Sequence, residues 1–235
     1  VSKVIAIVGF GPGTATAVAN RFAAEGFSIA LVGRDEERLA AGVAALGARG
    51  ATAFGFPADA ADPESIRAAV RGIRSQMGAI DVLHWNLYGG LDAGDLLTAD
   101  AASVRAAFDA TVVCLLAATA EALPDLKKSE RGTILVSNGA FGEISPQMDE
   151  AAVNLHSMGI AVSSAAKNKL VGLLAQRLKA DGIYVGEVMV YGTIKGTASV
   201  DAPNAIDPTR IAEEYWRLYQ SRSETRAAVK VPESA

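Results

Sequence analysis

In VSSAAKNKLVGLLAQRL, residues 162–178, Ser163 and Lys167 stand four positions apart in what reads as a helix. On a helix that spacing puts both side chains on one face. A lysine ammonium donates up to three hydrogen bonds and a serine hydroxyl donates one. The chemistry open to such a pair is the holding of hydroxyl groups and, with a suitable acid nearby, proton transfer. Serine is a poor acid, so other donors are of interest: Tyr88, Tyr191, His156 and Ser137. The chain has two histidines, His84 and His156, and no spacing that suggests a metal site.

A second constellation suits a phosphate. IVGFGPGTATAVANRFAAEG places Gly9, Gly11 and Gly13 between an apolar run and an Ala-rich stretch, with Thr14 following. Glycines let a backbone turn tightly and approach a pyrophosphate, which rests on the free N–H groups of a helix N-terminus. The next apolar run ends in ALVGRDEERL. Its tip carries Gly33 rather than an acidic residue, followed by Arg34. A carboxylate there would accept from ribose hydroxyls, whereas a guanidinium suits a 2′-phosphate. The expected ligand is therefore a dinucleotide, NADP(H) in preference to NAD(H). The competing expectation for Arg34 is a surface pair with Glu36 or Glu37.

The elements that must hold these groups alternate in type. Apolar β-branched runs cover residues 3–10, 28–33, 51–57, 79–86, 132–138, 183–190 and 227–231. Helical stretches lie near residues 13–26, 35–48, 62–77, 100–123, 151–180 and 207–221. Apolar strands without alternation, each followed by a helix, predict a parallel sheet covered on both faces. The expected fold is α/β, a Rossmann-like doubly wound sheet of about seven strands, with ligands at the strand carboxyl ends. Asp62-Pro63 and Asp207-Pro208 read as helix starts, an N-cap with proline at the first helical position. No linker divides residues 1–235, which are expected to form a single domain.

Composition excludes other classes. Half the residues are hydrophobic and 20% are charged, which calls for a sizeable core. The net charge of −4, without a basic stripe, argues against nucleic-acid binding. The single cysteine, Cys114, fits a reducing compartment and a buried structural thiol. The opening run is too short for a signal peptide, and the run 112–120 stops short of a membrane span. A cytoplasmic protein is expected.

Taken together, these stretches resemble the short-chain dehydrogenase/reductase family over nearly the whole chain. The glycine loop is similar to that family's G-x-x-x-G-x-G, with Ala15 for the third glycine. FPADAAD places Asp59 and Ala60 where the resemblance implies contacts to adenine. IDVLHWNLYGG stands for a fourth strand ending N-N-A-G, of which Asn86 is kept while Leu87 and Tyr88 are bulkier. VMVYGTIKGT is similar to the P-G-x-I stretch that borders the nicotinamide, with Tyr191 for proline and Gly192 and Ile194 kept. Lys167 carries the K-x-x-x-x-G-L spacing, which implies a lysine that binds the nicotinamide ribose.

The remaining catalytic positions depart from the family. Ser163 stands for the tyrosine, Gly139 for the serine and Thr111 for the asparagine, so one of four roles is kept. The segment between Gly139 and Ser163 is also about ten residues longer than the resemblance implies. It is expected to form a pocket wall or a lid. The resemblance implies an NADP(H)-dependent oxidoreductase acting on a carbonyl or alcohol, with Tyr191 the best placed substitute acid. It also implies a homodimer or homotetramer paired through long helices. The alternative is an inactive NADP(H)-binding sensor or structural subunit.

Overall fold

Seven short runs, buried almost throughout in the five inner strands and largely exposed in the two edge strands, form one parallel sheet. In the computed structural model, which describes residues 2–197 and 204–231, they are β1 (Val4–Val8), β2 (Ser28–Gly33), β3 (Ala53–Pro57), β4 (Ile80–Trp85), β5 (Thr133–Gly139), β6 (Tyr184–Tyr191) and β7 (Arg226–Lys230). Their spatial order is β3-β2-β1-β4-β5-β6-β7. The chain runs outward from β1 in one direction and then, from β4, in the other. The reversal leaves a crevice between the ends of β1 and β4. Val8 pairs with Val32 on one side and Trp85 on the other, so these carboxyl ends lie level.

Alternate strand residues feed two separate cores. Val4, Ala6 and Val8 face one side with α3 (Pro63–Met77), α5 (Cys114–Lys128) and α7 (Met158–Leu178). Ile5 and Ile7 face the other with α1 (Thr14–Ala24), α2 (Glu36–Gly47) and α8 (Pro208–Ser221). The expected helix starts are observed, since Asp62 caps α3 and Asp207 caps α8, each with proline following. Cys114 is fully buried and burial pushes its thiol up to about 11, which makes it a packing residue.

Two helical stretches differ from the sequence expectation. Residues 100–123 were expected as one helix; instead α4 (Ala101–Phe108) passes through a π-turn, Asp109–Val113, into α5, which runs on through Pro124. The run Ala101–Lys128 is long and apolar enough to cross a membrane, its most apolar 18-residue window having a mean hydropathy of 1.6 with 44% of that window buried. Its inward face is the core face of α5. Residues 151–180 are not one helix. α6 (Pro146–Asn154), capped by Ser145, stops short of α7. Between them His156 takes a left-handed backbone, φ 48°. The break lets the Gly159 and Met158 amides donate to Ala93 O and Gly94 O, each at 2.9 Å. These bonds fasten the loop after β4 onto the start of α7.

Candidate functional site

Loops beyond β1, β2, β3, β4 and β6 enclose a cleft of about 740 Å³. Gly9, Gly11 and Thr14 form its floor, with Phe10 and Pro12 beside them. Gly9 has φ 85°, and a Cβ there would stand 2.8 Å from Asn86 O. Gly13, φ 80°, is under the same pressure from Thr197 Cγ2, at 2.9 Å. No side chain caps α1. Its first N–H groups therefore meet the glycine loop without a competing acceptor, the arrangement that receives an anion.

One end of the cleft is cationic. Arg34 follows β2, and Arg38 lies on the first turn of α2. Arg38 pairs with Asp35 at 3.1 Å, and Asp35 also caps α2 through the Arg38 amide at 3.0 Å. Arg34 enters no ion pair among the described residues, so the expected alternative of pairing with Glu36 or Glu37 is not observed. The four-residue spacing of the two arginines was the signal in the sequence for Arg38.

Behind the floor lies a polar chain, buried except at Asn86, where it meets the cleft. Tyr215 OH donates to Ser137 Oγ at 2.8 Å, and Ser137 Oγ donates to Asn86 Oδ1 at 2.7 Å. Asn86 Nδ2 in turn reaches Gly9 O at 3.3 Å. His84 Nε2 lies 3.2 Å from the same Ser137 oxygen. A hydroxyl has one proton and two lone pairs. With that proton on Asn86, Ser137 accepts from both Tyr215 and His84, which requires the neutral Nε2–H imidazole. Burial agrees, pulling the His84 pKa down to about 3. The chain thus runs from α8 through β5 and β4 into the glycine loop and fixes the Asn86 amide.

At the other end of the cleft stands Tyr88, with 38% of its surface exposed. Beneath it Lys167 is wholly buried. Its Nζ donates to Leu87 O at 2.7 Å and lies 4.8 Å from the centroid of the Tyr88 ring. Burial pulls this ammonium down to about 7, against the opposing charge of Glu187. Glu187 is itself fully buried in β6, bonded by Asn138 at 2.7 Å, Asn168 at 3.1 Å and Arg226 at 3.0 Å. Burial raises its pKa despite these donors. A single carboxylate within the apolar run IYVGEVMV was its visible signal.

The profile of the short chain dehydrogenase family matches residues 3–202 of this chain. The chain belongs to that family. It is 30% identical over 175 residues to 2-(S)-hydroxypropyl-CoM dehydrogenase 3 of Xanthobacter autotrophicus (strain ATCC BAA-1158 / Py2), covering 74% of this chain and 64% of the relative. The chain spans less than two thirds of the length of the curated relatives it matches. Among solved structures, it resembles L-sorbose reductase from Gluconobacter frateurii, complexed with NADPH and L-sorbose, with a TM-score of 0.86 at 20% identity over 100% of this chain and 98% of that one. It also resembles a short chain dehydrogenase from Burkholderia cenocepacia J2315 in complex with NADP, with a TM-score of 0.83 at 23% identity over 97% and 96% of the two chains. At such identities the likeness concerns the fold.

Within this short chain dehydrogenase fold, Gly9, Gly11, Thr14, Arg34, Ala60, Asn86 and Ile194 all line the cleft. Other expected residues are placed elsewhere. The Asp59 carboxylate accepts from the Ala61 amide at 3.0 Å and stabilises its own loop. Gly192 packs beside Val231 and Ile206. Tyr191 donates to Glu143 Oε2 at 2.6 Å, which, with burial, pushes it up to about 12. Ser163 is sealed, its hydroxyl shared between Gly89 O at 3.1 Å and Ile160 O at 3.2 Å. Thr111, in the π-turn, donates to Ala107 O at 2.7 Å. The long segment after Gly139 forms a helical turn and α6, outside the residues that line the cleft.

Proposed function

We propose that this protein is an NADP(H)-dependent oxidoreductase acting on a carbonyl or alcohol group, with an atypical proton-transfer site. The observation that carries the reading is the cleft itself, which runs from Arg34 and Arg38 across the glycine loop to Tyr88. The uncapped start of α1 and the loop N–H groups suit a pyrophosphate. Gly33 leaves room where an acidic residue would repel a 2′-phosphate, and Arg34 supplies the charge to hold one. Ala60, Asn86 and Ile194 give the rest of the wall. The neighbours solved with NADP or NADPH support the same cofactor. When bound, such a cofactor supplies a hydride.

What this chain contributes is binding, orientation and one proton. The polar chain from Tyr215 to Asn86 holds the glycine loop. Lys167 supports the loop after β4 through Leu87 O. No phenol stands at position 163, so the acid must come from elsewhere. A second reading, cofactor binding without turnover, is favoured by the burial of Lys167 and Ser163. Calorimetric titration with NADPH and NADH, followed by loss of reduced-nicotinamide absorbance with a panel of ketones, aldehydes and an ortho-quinone, separates the two. Tighter NADPH binding with turnover is the expected result. Equal binding of both cofactors, or none, overturns the reading.

A further inference from the structure

We propose that Tyr88 is the proton donor of this site, a phenol carried on the loop after β4 in place of the one that α7 lacks. The inference rests on the oxidoreductase reading above.

Elimination among the tyrosines points to it. The chain has five. Tyr215 is sealed and donates to Ser137, and Tyr184 donates to Glu224 O at 2.6 Å. Tyr191 is held by Glu143, and Tyr219 lies in the core against α1. Tyr88 alone lines the cleft, and among the described residues its hydroxyl has no hydrogen-bond partner. The other acids considered for the role do not reach the cleft: Ser137 is buried in its own network, and His156 is at the end of α6.

Three departures from the family then form one arrangement. Ser163 gives up the volume of a phenol on α7. Gly139 carries no side chain, and a Cβ there would stand 3.5 Å from Tyr88 Cε1. Tyr88 is large where the resemblance implies alanine, and its ring lies against Lys167, with the ammonium 4.8 Å from the ring centroid. Gly139 is small beside the enlarged Tyr88, and Ser163 stands one helical turn from the Lys167 that the ring covers. Core volume is conserved in this way when a packed group moves from one backbone position to another.

The chemistry balances. The cofactor of the proposed function would supply a hydride to the carbonyl carbon. The C=O π pair moves to oxygen, and that oxygen takes the proton of the Tyr88 hydroxyl. The phenolate left behind lies beside the Lys167 ammonium and is reprotonated from water entering the cleft that Tyr88 lines. Burial around the phenol oxygen, with the Glu187 charge adding to it, pushes Tyr88 up to about 12. It therefore stays protonated at neutral pH and is still a stronger acid than the alcohol that forms. The reverse direction would need a phenolate first, so the arrangement favours reduction over alcohol oxidation.

The test begins with Tyr88→Phe, which keeps the ring and removes the hydroxyl. NADPH affinity should stay within about threefold, while turnover of the best panel carbonyl falls about 100-fold or more. Unchanged turnover overturns the proposal, as does a wild-type protein that binds NADPH and reduces nothing in the panel. A wild-type protein that does not bind NADPH overturns the cofactor reading instead. A readout without cofactor tests the geometry. Ser163→Tyr alone should lower the melting temperature, and Tyr88→Ala/Ser163→Tyr should recover it because one phenol then fills the space. Equal destabilisation in both backgrounds shows that the two side chains do not compete for one volume, and the inference fails.

Discussion

The Lys167 ammonium lies 4.8 Å from the centre of the Tyr88 ring, and a carbonyl, Leu87 O, is its hydrogen-bond acceptor at 2.7 Å. A cation over an aromatic face is attracted by the ring quadrupole, most strongly where water is excluded. Here the lysine is fully buried, so the contact works against a desolvation cost rather than adding to a solvated charge. Lys167 is therefore both the anchor of the β4 loop and a group poised to lose its proton.

That position gives a pH dependence with a defined sign. In the folded chain Lys167 titrates at about 7, against 10.5 when solvated. Between those values the unfolded chain binds the extra proton, so stability rises with pH across the window. Glu187, raised by burial, and Tyr88, pushed up to about 12, are the titratable groups that face it. Both are present in the wild type and in a Lys167→Met variant, so the difference between the two proteins isolates the lysine. Urea unfolding of the wild type and Lys167→Met at the two ends of the window checks this. The wild type should gain stability relative to the variant as pH rises, and a constant difference would contradict the assignment.

Ser137 is the hub of the polar chain. Ser137→Ala would leave Tyr215 OH, Asn86 Oδ1 and His84 Nε2 without their partner. A buried polar group left unpaired costs about 1–3 kcal/mol. Chemical denaturation should show at least that loss, and the double variant with Tyr215→Phe should be less destabilised than the sum of the two singles. NADPH binding should weaken as well, because Asn86 no longer holds Gly9 O in place. Additive losses with unaltered NADPH binding would show that the chain does not act as a unit.

The two arginines divide differently. Arg34 has no ion-pair partner among the described residues, whereas Arg38 is engaged by Asp35. Arg34→Ala should reduce NADPH affinity about tenfold, a loss of about 1.4 kcal/mol, and leave NADH unchanged. Arg38→Ala should have the smaller effect, since its charge is already partly neutralised. Competitive titration at two salt concentrations measures both. An equal loss for NADPH and NADH would place Arg34 away from the 2′-phosphate.

Most of this framework could be read from the chain alone. The inner strands were legible because their apolar runs are buried on both faces, and the glycine loop and Arg34 because turns and charges are local. What escaped were relations set by tertiary packing. Apolar spacing carries on through residues 151–180, so nothing local marks the break at His156, where tertiary contacts with the β4 loop decide. The π-turn at Asp109–Val113 is hidden in the same way within an Ala-rich run. Tyr191 looked like the substitute acid because its stretch borders the cofactor, but Glu143 from the long segment holds its hydroxyl. Tyr88 meets Lys167 only because the β4 loop folds back over α7.

α5 and α7 carry the surface on which self-association would rest. Both lie on the same face of the sheet, yet each keeps apolar side chains turned away from the core. Leu116 is 42% exposed on α5, and Val162 and Leu173 are 43% and 57% exposed on α7. Val113, in the π-turn between α4 and α5, adds another at 41%. These four side chains cover far less than the roughly 1,200–2,000 Å² that a stable interface buries, so an interface here would have to run along the length of both helices. We propose a homodimer or homotetramer formed through this surface. Light scattering should give a multiple of the 24.2 kDa chain at micromolar concentration. Leu173→Asp, which places an unpaired carboxylate at the centre of the contact, should shift the mass toward one chain without loss of helical signal. A monomeric wild type, or an oligomer unaffected by both Leu173→Asp and Leu116→Asp, would assign these side chains no role in assembly.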